Sequence, residues 1–140
     1  MRYDLFSNIK KMVGLNIQTI ATDTTTVGNI VDLKNWGSCV VGIDMGTLTD
    51  GDYVLLLEDG DNASLTDAAV VTDANLRGTE AGASFTADSD DDKTSKLGYI
   101  GKKRYVRMSI VSTSTSSGAV LGGYVLLGNP IVGPDTTQTR

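Results

Sequence analysis

The segment GYIGKKRYVRMSIV, residues 98–111, indicates a β-sheet fold more clearly than any other part of the chain. In its second half, apolar and polar residues alternate with a period of two, which is typical of a strand with one buried face. The apolar positions are Val106, Met108 and Ile110, and the opposite positions are Tyr105, Arg107 and Ser109. We therefore predict a hairpin in which the strands KLGYIG and RYVRMSIV are joined at Gly101, Lys102 and Lys103.

Short apolar segments follow one another along the rest of the chain, at spacings typical of strands and turns. Gly, Asp, Ser and Thr lie between them and favour turns, and no long segment has the 3.6-residue period of a helix. The predicted strands are LNIQTIA at 15–21, IVDL at 30–33, SCVVGIDMG at 38–46, YVLLLED at 53–59, GASFTAD at 82–88 and AVLGGYVLLG at 119–128. This pattern predicts an all-β fold, either an antiparallel β-sandwich or a jelly roll.

Two side-chain placements follow from the alternation within these strands. Leu15 and Ile17 are predicted to share one face of the first strand. Cys39 lies in an apolar strand, and we predict that it is a small core residue.

The 140 residues are enough for a single domain with its own core. Residues 1–14 show neither clean alternation nor a helix cap, so we predict a flexible N-terminal arm there. Residues 15–129 form the predicted β-sandwich domain. Residues 130–140 form a predicted flexible C-terminal tail, because Pro130 and Pro134 are disfavoured in the interior of a sheet.

Charge is distributed unevenly along the sequence. Residues 44–92 contain 13 acidic residues and one basic residue, whereas residues 93–140 contain seven basic residues and one acidic residue. Two explanations stay open. In the first, acidic and basic surfaces face each other, within the fold or between copies. In the second, the acidic loops keep a nearly uncharged sheet soluble.

The residue types present argue against catalysis. Histidine is absent and Cys39 is the one cysteine, so Ser-His-Asp, Cys-His and Cys/His zinc sites are excluded. The acidic residues cluster on glycine-rich turns, where burial that raises a carboxyl pKa is difficult, so a glycoside hydrolase is not expected. We predict no catalytic residues, no cofactor and no metal site, and we do not expect an enzyme.

Two binding functions use residues that the sequence does offer. The segments EDGDN at 58–62 and DSDDD at 88–92 carry oxygen ligands for calcium, although neither continues as an EF-hand loop. Trp36, predicted to lie on a turn, is suited to stacking on a sugar or to covering the end of a core. A glycan- or calcium-binding module is therefore an alternative function.

Nucleic acid and membranes are not expected partners. The sequence pI is about 4.5, and only Tyr99 and Tyr105 accompany the basic residues near position 104, which is unlike a nucleic-acid-binding surface. No nucleotide-binding glycine motif opens a helix. The start of the chain lacks the apolar run of a signal peptide, and no segment approaches the roughly 20 apolar residues of a membrane span.

Several motifs resemble those of small structural proteins from the heads of tailed bacteriophages. The segments are MRYDLFSNIK, GTLTDGDYVLLLEDGDN, LTDAAVV, GTEAGASFT and LGYIGKKRYVRMSIVSTSTSSGAV. The most distinctive motif is G-Y-[IV]-G-x-[KR]-R-Y-[VL]-R at Gly98 to Arg107, followed after a Ser/Thr/Gly loop by a strand that ends in LGNP. This pattern covers most of the chain, and it resembles the head decoration (cement) protein family, whose members are small β-sandwich virion proteins.

The resemblance implies a structural virion protein on the outer surface of the capsid, made in the host cytoplasm. It implies binding to the major capsid protein, bridging of neighbouring capsomers and stabilisation of the head by a homo-oligomer, a trimer or dimer. A head-tail connector or a tail component is the alternative within the virion. The residues predicted to contact the capsid or a sister subunit are Arg2, Tyr3 and Phe6 in the arm and Lys102, Lys103 and Arg104 in the basic segment.

Overall fold

The computed structural model of the protein describes residues 1–136. These residues contain nine strands: β1 (Ile9–Ile20), β2 (Thr24–Asp32), β3 (Trp36–Leu48), β4 (Asp52–Gly60), β5 (Ala69–Val70), β6 (Leu76–Arg77), β7 (Leu97–Tyr99), β8 (Tyr105–Thr113) and β9 (Ala119–Pro130). The helical elements of this part of the chain are single 3-10 turns at Phe6–Asn8, Asp73–Asn75, Ala81–Ala83 and Asp88–Asp90. No helix among these residues has the length and apolar character that crossing a membrane takes. The all-β prediction is confirmed.

Two antiparallel sheets form the fold. One has the strand order β1-β9-β3-β7-β6, and the other has the order β2-β8-β4-β5. Four pairings are nested within one another: β1 with β9, β2 with β8, β3 with β7 and β4 with β5. Wrapping one long antiparallel hairpin into two facing sheets produces this order, which is that of a jelly roll.

The core lies between the two sheets and is built by side chains that alternate along the strands. The fully or almost fully buried positions on three central strands are Cys39, Val41, Ile43 and Met45 of β3, Tyr53, Leu55 and Leu57 of β4, and Val106, Met108 and Ile110 of β8. Burying one large apolar side chain contributes about 1.5–3 kcal/mol. The burial of these residues confirms the predicted core position of Cys39 and the predicted inner face of β8.

Strands β1 and β2 close one side of the sandwich, where their backbones come close together. A Cβ atom added to Gly28 would overlap the backbone carbonyl oxygens of Met108 and Gly14. Beside it, the Asn29 side-chain amide donates a hydrogen bond of 3.1 Å to the carbonyl oxygen of Val13. Because Gly28 has no side chain, β2 can lie against both β1 and β8 at this point.

The predicted hairpin across residues 96–111 is wrong. β7 pairs with β3 and β6 in the five-stranded sheet, whereas β8 pairs with β2 and β4 in the four-stranded sheet. Residues 100–104 therefore cross from one sheet to the other, and we call them the crossover. Alternation identifies a strand and its buried face, but it carries no information about which strand is the partner.

Two local predictions are also wrong. β1 has bulges between Val13 and Leu15 and between Leu15 and Gln18, so Leu15 is buried whereas Ile17 is 81% exposed. A bulge inserts a residue, which reverses the alternation beyond it. The strand predicted at 82–88 is reduced to a single bridge between Phe85 and Tyr53, flanked by two 3-10 turns.

The predicted segment boundaries differ from the strand bounds at both ends. β1 begins at Ile9, which pairs with Gly128, so residues 9–14 of the predicted arm lie in the sheet. β9 continues to Pro130, which pairs with Trp36 at the strand end, where proline is tolerated. Of the predicted tail, residues 137–140 lie outside the described residues.

We predict that Gly28→Ala lowers the free energy of unfolding by about 1–3 kcal/mol, because the backbone oxygens that face the added methyl group cannot rotate away. Gly128→Ala in β9 is the matched control, since its added Cβ would lie 3.7 Å from the nearest heavy atom, and it should change stability by less than about 1 kcal/mol. Urea unfolding followed by circular dichroism measures both. Equal stability of the two variants would contradict the close approach of β1, β2 and β8.

Candidate functional site

The two ends of the sandwich carry different surfaces. At one end Trp36 pairs with Pro130, and Ile9 pairs with Gly128. The crossover lies at this same end, because the Leu33 amide just before β3 donates a hydrogen bond of 2.8 Å to the Arg104 carbonyl oxygen. We call this end of the sandwich the cleft end, after the cleft that opens there. At the opposite end Leu48 pairs with Ala119.

A cleft of about 600 Å³ opens at the cleft end. Its volume is in the range of small-ligand pockets. The basic residues that line it are Lys34, Arg77, Lys102, Lys103 and Arg104, and no acidic residue of the described chain lines it. Trp36, Tyr99 and Ile100 supply apolar surface. The cleft therefore combines positive charge with an aromatic and aliphatic wall.

A buried polar pair, Asp59 and Tyr99, anchors the crossover to the core. Asp59 and Tyr99 are 8% and 4% exposed. The Tyr99 hydroxyl donates a hydrogen bond of 2.8 Å to the Asp59 carboxylate and accepts one of 3.1 Å from the Lys103 amide. Burial, together with the hydrogen bond to Asp59, raises the pKa of Tyr99. The hydroxyl therefore stays protonated and remains a donor to Asp59.

Two of the three cations predicted in the basic segment are paired within the chain. Lys103 Nζ lies 2.6 Å from an Asp61 carboxylate oxygen, and Arg104 donates two hydrogen bonds, of 3.0 and 2.9 Å, to Asp32. The Arg104 guanidinium lowers the pKa of Asp32, and the hydrogen bond to Asp61 raises the pKa of Lys103. These pairs are exposed to solvent, so each holds the crossover only weakly.

Three cleft cations lack such a partner. Lys34, Arg77 and Lys102 are exposed, and none of them has a carboxylate oxygen within 4 Å among residues 1–136. The Arg77 guanidinium donates a hydrogen bond of 3.1 Å to the carbonyl oxygen of Leu76. These three side chains leave the cleft with positive charge that no ion pair within 4 Å matches, although Lys34 lies near enough to Asp32 to help lower the pKa of that carboxyl.

Part of the charge asymmetry of the sequence is matched inside the fold. Besides the pair of Lys103 with Asp61, the Arg107 guanidinium donates hydrogen bonds of 3.1 and 2.8 Å to Glu58 on the neighbouring strand β4, whereas the partner of Arg104, Asp32, lies outside residues 44–92. Acidic residues of the middle of the chain thus meet basic residues of its last third. The match is incomplete, because Lys102 is left without an ion pair in the part of the chain that the structure describes.

The arm residues predicted to contact a partner project from the cleft end. Tyr3 is 89% exposed and Phe6 is 58% exposed, and Arg2 is exposed as well. The arm is anchored behind them, because the Asp135 amide donates a hydrogen bond of 2.8 Å to the carbonyl oxygen of Ser7. The structure thus brings the arm and the basic segment to one end, but no arm residue lines the cleft.

The sequence does not predict Lys34 and Arg77 as docking residues, and for Trp36 it predicts only sugar stacking or covering of the core. Trp36 packs against the core and also lines the cleft. Lys34 and Arg77 lie far from the basic segment in sequence; Lys34 reaches the cleft from the turn before β3, and Arg77 reaches it from β6. One signal was present, since Arg77 is the single basic residue among residues 44–92.

Two aspartates outside the predicted calcium segments, Asp50 and Asp67, use their carboxylates to hold the backbone of turns. Asp50 accepts hydrogen bonds of 2.8–3.1 Å from the amides of Ser116, Ser117 and Gly118, and these bonds lower the pKa of Asp50. Asp67 accepts bonds from the amides of residues 61 and 62 in the same way. Within residues 1–136, no three metal-ligating side chains are grouped as a metal site needs.

Cys39 lies at the bottom of the cleft but is not an accessible nucleophile. Its side chain is buried in the core, and burial raises the pKa of its thiol to about 12. The thiolate is the reactive form of cysteine, so this residue is unreactive in the folded chain.

Comparison with known proteins yields a distant structural likeness. No protein-family model and no curated protein sequence matches the chain. Among solved structures, the crystal structure of the SPBc2 prophage-derived protein YomS is similar, with a TM-score of 0.49 and 14% sequence identity over 85% of this chain and 93% of that chain. A likeness this distant carries no argument about the site or its function.

We predict that Tyr99→Phe lowers the free energy of unfolding by about 1–3 kcal/mol, because it leaves the buried Asp59 carboxylate without its hydrogen bond. Tyr105→Phe is the matched control, since Tyr105 lies on the outer face beside Arg104 and makes no such buried pair. Urea unfolding compares the two. A loss no larger for Tyr99→Phe than for Tyr105→Phe would contradict the role of the buried pair.

The raised pKa of Tyr99 also predicts a pH dependence. The folded chain keeps the Tyr99 proton at a pH where the unfolded chain releases it, so this contribution to stability is complete below about pH 10 and is lost as the pH rises further. We expect the free energy of unfolding to fall less steeply above pH 10 in Tyr99→Phe than in the wild type. Parallel curves, measured by urea unfolding from pH 8 upward, would show that Tyr99 is not responsible.

Proposed function

We propose that the protein is a structural component of a tailed-bacteriophage virion that decorates the outer surface of the head. In this role it binds the major capsid protein, bridges neighbouring capsomers and stabilises the shell as a homo-oligomer, without catalysis. The motif at Gly98 to Arg107 and the strand ending in LGNP motivate the proposal through their resemblance to decoration proteins.

The exposed N-terminal arm is the observation that carries the proposal. Four large apolar side chains among its first six residues each expose more than half of their surface: Met1, Tyr3, Leu5 and Phe6. Full burial of one such side chain is favourable by about 1.5–3 kcal/mol, so a run of four in water favours a surface that covers them. A capsid protein or a sister subunit is a partner of this kind.

The jelly roll gives the arm a rigid base. From Ile9 onward the chain is paired with β9, and the Ser7 carbonyl is held by the tail. Residues 1–6 therefore extend from a fixed point, which suits an arm that reaches onto a neighbouring subunit. Segments that become ordered on contact lose affinity per unit area but cover a larger surface.

Charge at the cleft end supports a second contact beside the arm. Lys102 is exposed and unpaired among the described residues, and Lys34 and Arg77 add to the same positive surface. Individual exposed ion pairs contribute little. Many copies on one lattice multiply weak contacts into strong overall binding, which is how a cement protein stabilises a shell.

The test uses heads of a phage that produces this chain, prepared without it and mixed with the purified protein. We expect co-sedimentation in many copies per head. The variant Tyr3→Ser/Phe6→Ser should bind at least about tenfold more weakly, because each lost aromatic contact is worth about 1.5–3 kcal/mol when fully buried.

Val70→Ser is the matched control for the arm variant, since Val70 is exposed on the short edge strand β5. Its binding should stay within about twofold of the wild type. Absence of wild-type protein from sedimented heads would refute decoration. A few copies per intact particle, counted from a stained gel, would favour a head-tail connector or tail component instead.

A further inference from the structure

We propose that the cleft of one copy binds the acidic loop of a second copy, so that copies associate end to end. The acidic loop is defined as residues 88–92, with the sequence DSDDD. The contact joins two surfaces of one chain and does not depend on the proposed role on a phage head.

The charges that the fold leaves unpaired match in number and are opposite in sign. In the acidic loop, an Asp90 carboxylate oxygen lies 2.8 Å from Lys93 Nζ. The other carboxylates of the loop have no basic partner within 4 Å among residues 1–136. The unpaired cations of the cleft are Lys34, Arg77 and Lys102, and the unpaired carboxylates of the loop are Asp88, Asp91 and Asp92. All six side chains belong to exposed residues. Complementary charge of this kind favours docking of one surface on the other.

The loop of a given chain cannot fill the cleft of the same chain. Asp91 accepts a hydrogen bond of 2.6 Å from the Leu48 amide, and the Met45 amide donates one of 2.8 Å to the Lys93 carbonyl oxygen. These bonds fix the loop beside residues 45–48 of β3, whereas the part of β3 that lines the cleft is residues 36–40. The five steps from Val40 to Met45 span roughly 17 Å along the strand. The occupant therefore comes from another copy.

Hydrogen bonds within the acidic loop hold its conformation before it binds. The loop begins with the 3-10 turn Asp88–Asp90, and the Asp90 carboxylate accepts a hydrogen bond of 3.2 Å from the Ala87 amide. A loop held in this way loses little conformational entropy on binding. The contact is heterologous, because it joins different surfaces, so repeated contacts produce a closed ring or an open chain of copies.

Trp36 makes the contact measurable. It is the one tryptophan of the chain and it lines the cleft, so its fluorescence reports on what enters there. The acceptor is Asp88→Lys/Asp92→Asn, which keeps the cleft but cannot donate the loop. Asparagine is used at position 92 because this residue has φ 54°, which asparagine tolerates. The donor is Trp36→Phe/Lys34→Glu/Lys102→Glu, which keeps the loop, has no tryptophan and cannot accept.

Titration of the donor into the acceptor at low ionic strength should change the Trp36 emission to saturation, and added salt should reverse the change. A donor that also carries Asp88→Lys/Asp92→Asn should bind at least about tenfold more weakly. As a charge control, Lys96→Glu in the acceptor alters an exposed lysine outside the cleft and should leave the affinity within about twofold.

Two results would overturn the contact: no saturable change with donor on the order of 0.1 mM, or an unchanged affinity for the donor with the altered loop. Thermal unfolding checks that every variant is folded, and Trp36→Tyr replaces Trp36→Phe in the donor if the latter is not. Because no capsid is present, this result is independent of the head-binding experiment. Either proposal can fail while the other stands.

Discussion

β9 lies between β1 and β3 and pairs with both along almost its whole length, and the rest of the fold depends on this position. The pairing joins the first strand of the chain to the last, so it closes the long nested hairpin into a jelly roll. Bringing such distant segments together costs loop-closure entropy. The inner side chains of β9, including the fully buried Val125 and the almost fully buried Leu127, offset that cost by entering the core.

The same pairing determines which surfaces meet at each end of the molecule. Ile9, Trp36 and Pro130 are brought together at the cleft end, and the arm and the described part of the tail follow from there. The crossover must pass between the sheets at this end, where its backbone has no ladder to join. Its polar groups find other partners, since the Ile100 amide donates to the Asn75 carbonyl oxygen and the Lys103 amide donates to the Tyr99 hydroxyl.

The sequence predicted most of the long strands and the buried face of β8 because alternation is a local property. Val106, Met108 and Ile110 are buried as expected, but the partner strand of β8 depends on the whole topology, so the hairpin was wrong. The bulge between Val13 and Leu15 contains Gly14, but the bulge between Leu15 and Gln18 contains no glycine that would mark it, so the alternation predicts the wrong face for Ile17. The cleft was only half predictable. Lys102, Lys103 and Arg104 are contiguous, whereas Lys34 and Arg77 join them only once the strand order is known.

The most conspicuous part of the sequence, Gly98 to Arg107, contributes more to the fold than to binding. A Cβ atom at Gly101 would overlap the Tyr99 ring, and the Tyr99 hydroxyl holds both Asp59 and the Lys103 amide. Arg104 and Arg107 are each held by two hydrogen bonds to a carboxylate of the same chain. A partner carboxylate that reaches Arg104 must displace Asp32, so it exchanges one ion pair for another and gains little. Lys102 needs no such exchange. The motif therefore determines how the crossover is built, and of its four cations only Lys102 has no ion pair among the described residues and is available to a partner.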